Sequence, residues 1–305
     1  MRPGVRDAIT LAGAFALDRA LGDPARWHPV AGFGALAEGL ERRTWRPRRS
    51  AGIFHVATLL AGAGILGRLA RRNHALSAML VWATLGARSL ERAALQMAEL
   101  LSSEQLPAAR RHAAVLMGRD ASQLDAAELS RATIESVAEN TADALVGPLL
   151  WGALAGPAGA SAYRAANTLD AMIGHRSSRY ESFGWAAARL DDLMTWPAAR
   201  LTALLSVLLA PRADADRVEA LRVLRRDGAR HPSPNAGRAE AAFAGALGVR
   251  LGGINRYPGG VERRPTLGNG RQPAIEDIAA AVHLSRLVCR ASLLLCILLA
   301  LARPA

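Results

Sequence analysis

The 305-residue chain contains no lysine, so apart from its seven histidines every basic side chain is an arginine. That absence excludes a Walker A phosphate loop, a Schiff-base lysine for pyridoxal phosphate and the lysine an adenylating ligase usually recruits. Cysteine is nearly missing as well: Cys289 and Cys296 lie in the last apolar run and form no CxxC pair, so neither zinc nor thiol redox chemistry is indicated. Aromatic residues make up only 5%, and no helix-turn-helix, zinc-finger or aromatic RNA-binding signature accompanies the net charge of +12. Nucleic acid is therefore not expected as a partner. No HExxH or Ser-His-Asp order stands out, and Gly248, Gly252 and Gly253 are too generic to mark a dinucleotide site.

What the chain does have is apolar sequence. It is 51% hydrophobic, and the charge is concentrated between apolar runs near 8–21, 51–67, 75–87, 144–162, 196–210 and 288–302. This pattern predicts an all-α, polytopic integral membrane protein with about 4–6 apolar helices and long polar helical loops. One domain over 1–305 is expected, with the candidate site on loops near 88–143, 163–195 and 212–287. Arg2 and Arg6 precede the first run as in a signal peptide, but Asp18 and Arg19 follow it without a cleavage site, so a retained helix is expected. The arginine-rich stretches "ERRTWRPRRS" and 212–286 are assigned to the cytoplasm. Gly147-Pro148 and Gly156-Pro157 interrupt the run at 144–162, which favours a re-entrant segment that keeps 163–195 on the side of the other polar loops.

Reactive residue types gather in four places. "ESVAENTADALVGPLL" carries Glu135, Glu139 and Asp143 along about 12 Å of one helical face, opposite Ile134, Val137, Thr141 and Leu145. Ser122 with Asp125 three residues later forms a plausible capping box ahead of it. Such acids are either a solvated face or, at a membrane boundary, ligands for Mg²⁺. "NTLDAMIGHRSSRYESFGWAAARLDDL" offers Asn167, Asp170, His175, Arg176, Asp191 and Asp192, as an anion and metal site or as an ordinary loop whose acids form salt bridges. "LGDPARWHPV" supplies Asp23 and His28, and "DGARHPSPNAGRAE" supplies His231, Ser233, Asn235 and Glu240 at what reads as a loop entering a helix, where N–H groups can hold a phosphate. A single His-Pro pair is simply a turn; here the pair recurs.

The segments "DRALGDPARWHPV", "ESVAENTADALVGPLLWGALAGPAGASAYRAANTLDAMIGHRSSRYESFGWAAARLDDLMTWPAARL", "HPSPNAGRAEAAFAGALGVRLGG" and "NRYPGG" resemble, in this order, the CobD or CbiB family of cobalamin biosynthesis, the adenosylcobinamide-phosphate synthases. The resemblance runs from about residue 11 to the final helix. It implies a bacterial inner-membrane enzyme with cytoplasmic site loops. The implied reaction is an ATP-dependent amide ligation joining (R)-1-amino-2-propanol, or its O-phosphate, to the free carboxylate of adenosylcobyric acid, with Mg²⁺ and ATP taking part. Membrane lipid and other enzymes of corrinoid synthesis are the expected partners. On that reading Glu135, Glu139 and Asp143, with Asp170, Asp191 and Asp192, are candidate metal ligands. Glu135, Glu139, His231 and His28 are candidate catalytic groups, either histidine serving as the base. Asn140, Asn167, His175, Arg176, Ser233 and Asn235 are candidate substrate or phosphate contacts. Two other classes fit the same layout: a corrinoid transporter with its site between broken helices, and an AmpE-like membrane sensor without catalysis.

Overall fold

The computed structural model of the chain describes residues 2–23, 28–175, 177–257 and 260–303. Its helices are α1 (Pro3–Leu21), α2 (Pro29–Thr44), α3 (Arg49–Ala70), α4 (His74–Trp82), α5 (Ala87–Ser102), α6 (Leu106–His112), α7 (Ala126–Thr141), α8 (Gly147–Leu169), α9 (Trp185–Leu209), α10 (Arg217–Asp227), α11 (Ala236–Leu247) and α12 (Glu276–Leu301). Strands β1 (Leu251–Tyr257) and β2 (Gly260–Leu267) form one antiparallel hairpin inside a stretch that the sequence presents as polar helical loop. Among the described residues, four helical stretches are long and apolar enough to cross a membrane: 49–70, 126–174, 185–213 and 276–301. The fold is thus the all-α, polytopic membrane protein expected. The apolar run at 75–87 does not reach that length, because α4 has only nine residues before the chain turns.

The chain packs into two compact units: Met1–Gly86, Asp143–Ala198 and Ser292–Ala305 form the first, Ala87–Ala142 and Ala199–Ala291 the second. In the first, α8 is not a straight rod. Gly156 adopts φ +67° and ψ −155°, a left-handed break that glycine tolerates, and Pro157 follows it. The two arms then fold back on each other. A Cβ on Gly147 would collide with the ring of Tyr163, and one on Gly152 would meet the Cβ of Ala160 at 3.7 Å. The chain therefore reverses direction at Gly156-Pro157, the second of the two Gly-Pro pairs. The turn is fastened by charge. Buried Asp7 of α1 pairs with Arg71 at 2.6 Å and Arg303 at 3.0 Å; Arg303 also donates to the Ala153 carbonyl at 2.9 Å, and the Arg71 guanidinium lies against Gly156. Near the other end of α3, Val56, Leu59, Leu169, Ile173 and Phe183 form an apolar core.

In the second unit α7 packs on α5, α11 and β1, and α10 packs on α11. The capping box of α7 sits one turn later than the sequence suggested: Asp125 accepts from the Glu128 N–H at 2.8 Å and its own N–H donates to the Glu128 carboxylate at 3.0 Å. Buried Asp227 ends α10 and ties β2 to it, accepting from the Gly268 N–H at 2.9 Å and pairing with Arg226 and Arg230. The Arg226 hydrogen bond, followed by those from Gly268 and Arg230, pulls the Asp227 carboxyl down to about 2. A depressed carboxyl stabilises the fold above its ordinary value of about 3.9, and that contribution disappears as the pH falls through about 2. Asp227→Asn is expected to remove about 2 kcal/mol at neutral pH and to flatten the acid limb of the stability profile, measured by unfolding in detergent across that range.

Candidate functional site

Each unit holds its own polar cluster. In the second unit the centre is Glu135, which is only 3% exposed, so the acidic face of α7 is not a solvated one. Its Oε2 accepts from Arg119 at 2.6 Å; its Oε1 accepts from Arg131 at 3.0 Å and from the Gly252 N–H at 2.8 Å. Arg131 also donates to the carbonyls of Gly252 and, at 3.1 Å, Ile254. Asn255 Oδ1 receives Arg119 at 2.8 Å and Arg131 at 3.2 Å. The local backbone makes this geometry available. Strand β1 has an irregularity between Leu251 and Gly253, and Gly252 at φ +81° packs so tightly that a Cβ would collide with the Pro265 carbonyl.

Beside this saturated knot lie three buried groups with atoms that no protein atom satisfies: His231 Nε2, Glu240 Oε1 and Asn255 Nδ2. His231 Nε2 and Glu240 Oε1 are 4.0 Å apart, too far for a hydrogen bond. Glu240 of α11 is 1% exposed. Burial, then the neighbouring charges of Glu135 and Glu139, push its carboxyl well above the usual carboxylate range, against the pull of Arg264 and Arg119. Burial and the Arg264 guanidinium hold the His231 imidazole below its ordinary value. His231 Nδ1 accepts the Ser233 N–H at 3.0 Å, so the neutral ring carries its proton on Nε2. These buried groups thus offer a ring N–H, an amide NH₂ and a carboxyl in its neutral form. Unpartnered buried polar groups are costly, and a ligand that accepts hydrogen bonds would satisfy them. Glu139, half-buried, belongs to the same unit.

In the first unit Asn167 joins two acids. Its Nδ2 donates to Asp191 at 3.2 Å and to Asp143 at 3.4 Å, and Arg164 donates to its Oδ1 at 3.2 Å. Asp191 also accepts from Thr195 at 3.4 Å, whose hydroxyl bonds that of Tyr163 at 3.1 Å. Asp143 lies in a π-helical segment, Ala142–Val146, that follows α7. His28 repeats the geometry of His231: its Nδ1 accepts the Val30 N–H at 3.1 Å, and its Nε2 faces Asp23 at 3.6 Å. The recurrent His-Pro pair is thus a device for fixing a histidine tautomer at a helix entrance.

The other candidates have local partners. Asp192 pairs with Arg189 at 3.4 Å, and Asp170 lies against Gly174 in a second π-helical turn. His175 meets Tyr180 edge to face at 5.1 Å. Asn140 donates to the Ser136 carbonyl of its own helix at 2.9 Å. Ser233 Oγ accepts from the Ala236 N–H at 3.2 Å, and Asn235 accepts from Arg200 at 3.2 Å. Arg176 lies outside the described residues. The six acids read as metal ligands are divided: Glu135 and Glu139 belong to the second unit, while Asp143, Asp170, Asp191 and Asp192 belong to the first. Among the described residues no three His, Cys, Asp or Glu side chains converge as a metal-binding group, and both oxygens of Glu135 are taken by cationic and backbone donors.

The sequence pattern of the CobD/Cbib protein family matches residues 11–285. The chain belongs to that family. Curated relatives named "Cobalamin biosynthesis protein CobD" are similar over nearly all of their length. One from Mycobacterium tuberculosis (strain ATCC 25618 / H37Rv) is 51% identical over 293 residues, covering 94% of both chains. Others are from Chromobacterium violaceum, 43% identical with 92% of each chain covered, and from Halalkalibacterium halodurans, 40% identical with 86% of each covered. No solved structure matches the chain. In this CobD/Cbib chain the groups that sequence reasoning left out of the site are Arg119, Arg131, Gly252 and Asn255, together with Glu240, which was noticed but given no role. Arg131 and Glu135 do stand four apart on one helix, a spacing that announces an ion pair. Asn255 and Gly252 are brought to Glu135 only by the β-hairpin, whose strands carry no clean alternation to announce them.

Proposed function

We propose that the chain acts in cobalamin biosynthesis as the membrane enzyme that joins aminopropanol, or its O-phosphate, to the free carboxylate of adenosylcobyric acid. The observation that carries this reading is the trio of buried groups that each keep one unsatisfied polar atom, His231 Nε2, Glu240 Oε1 and Asn255 Nδ2, in a chain whose relatives are named for that pathway. Amide formation needs donors aimed at the carboxyl oxygen as negative charge gathers on it, and a dry chamber makes such donors effective. His231 Nε2–H and Asn255 Nδ2–H supply them, and Glu240 supplies a third while it holds its proton. His231 thus enters as a donor and not as the base suggested by sequence. Glu139 is the carboxylate in this unit that takes the proton released as the amine attacks.

Glu135 does not fit as a ligand for Mg²⁺, since its oxygens are occupied. Asp143 and Asp191, held together by Asn167, do fit an ion that binds one or two carboxylates and otherwise keeps waters and substrate phosphates. Magnesium would there neutralise phosphoryl charge. ATP is the co-substrate on this reading, since a carboxylate must be activated before an amine displaces its oxygen.

Purified protein in lipid, given adenosylcobyric acid, Mg²⁺, ATP and either amine, each omitted in turn, tests the proposal by mass spectrometry. A product heavier than the acid by the amine less water is expected, and the omissions identify the required amine and nucleotide. The folded-back α8 is the one feature that favours a transporter. Unaltered corrinoid crossing sealed vesicles, with no amide formed, would replace the ligase reading by that one.

A further inference from the structure

Within the first unit, α2, α3, α4 and the returning arm of α8 enclose a cavity of about 450 Å³, well within the range of ligand pockets. Its wall is apolar, with Phe33, Leu40, Leu59 and Leu66 among the lining residues. Three polar side chains of α8, Ser161, Arg164 and Thr168, also line it. Ser161 is 8% exposed and its Oγ has no hydrogen-bond partner; Arg164 Nε is likewise buried and unsatisfied. At the rim, Leu36 and Leu66 are exposed, and Leu66 shares with Ile65 and Leu69 the outer face of a helix able to cross a membrane. Such a face meets lipid, so the cavity opens toward acyl chains. The carboxylates of Asp23 and Asp143 already act on Arg164, so an oxygen acceptor without its own charge suffices for the two donors.

We propose that this cavity holds one acyl chain of a membrane phospholipid, with the ester carbonyl accepting from Ser161 Oγ–H and Arg164 Nε–H. Neither the reaction proposed above nor the polar cluster of the second unit enters this assignment. Its consequence is local: Arg164 also holds Asn167, so the bound chain steadies the group that joins Asp143 to Asp191.

Gly62 lines the cavity, and a Cβ there would meet nothing within 4 Å, so a larger side chain grows into the space the lipid would fill. The full chain, delipidated in mild detergent and exposed to mixed micelles of 1-palmitoyl-2-oleoyl phosphatidylcholine, is expected to retain one lipid per chain by native mass spectrometry. Gly62→Phe and the gentler Gly62→Leu are expected to retain at least tenfold less while melting normally, and the smaller variant keeps the test intact if the larger misfolds. Ser161→Ala is expected to weaken retention about threefold, the scale of one lost hydrogen bond. Phosphatidylglycerol is expected to bind equally, because the carbonyl is common to both lipids. Equal retention in the wild type and a folded Gly62 variant would mean annular lipid only and would overturn the assignment. A strict requirement for the anionic headgroup, or no effect of Ser161→Ala, would overturn the carbonyl contact.

Discussion

Glu135→Gln is expected to lower the stability of the second unit by about 3–5 kcal/mol, the scale of breaking a buried ion pair by removing one partner. The carboxylate is met by Arg119, Arg131 and the Gly252 N–H, and both arginines are themselves nearly buried. Glutamine keeps the shape but leaves two guanidinium groups without a counter-charge in a place that water does not reach. It also aims an NH₂ at groups that can only donate. The readout is chemical or thermal unfolding in detergent, followed through a probe in the β-hairpin, which Glu135 ties to α7. Replacing Glu135, Arg119 and Arg131 together by apolar residues of similar size should recover much of the loss, since a buried network is often no more stable than its hydrophobic substitute. A loss below about 1 kcal/mol in the single variant would show that the knot is hydrated in solution.

Glu240→Leu is expected to do the reverse. Turnover should fall by about 10²–10³, the scale of losing one donor at a developing oxyanion, with stability unchanged or raised. The asymmetry follows from the partners: Glu135 has all of its contacts, while Glu240 Oε1 has none and is held in the interior at a cost to the fold. Glu240→Gln, which restores a donor of similar shape, should recover part of the activity. A Leu variant that loses several kcal/mol and keeps its turnover would make Glu240 a structural residue and remove it from the chemistry.

These two glutamates also mark the limit of what could be read along the chain. Periodicity and apolar run length made the all-α membrane architecture visible, because burying a helix in lipid demands about 20 apolar residues in succession. Of the two Gly-Pro pairs, Gly156-Pro157 marks the fold-back of α8, because a glycine at positive φ followed by proline cannot continue a helix, whereas the chain stays helical through Gly147-Pro148. Four-residue spacing placed Glu135, Glu139 and Asp143 on one face, and the motifs in their order pointed to the family. All of that depends on neighbours in sequence.

The division of the acids depended on something else. Glu135 is neutralised by Arg119 from the loop before α7 and by a backbone N–H 117 residues away, whereas Asp143, two helical turns later, is held by Asn167 from the returning arm of α8. Spacing along a helix says which side chains share a face but not which donors approach it. The sequence by itself determined a membrane-embedded helical fold, its broken helix and its family. Tertiary structure alone decided that Glu135 is saturated while Glu240 keeps an unsatisfied oxygen, because burial, counter-charge and hydrogen-bond partners arrive from distant segments, and those set the charge state and chemistry of a buried acid.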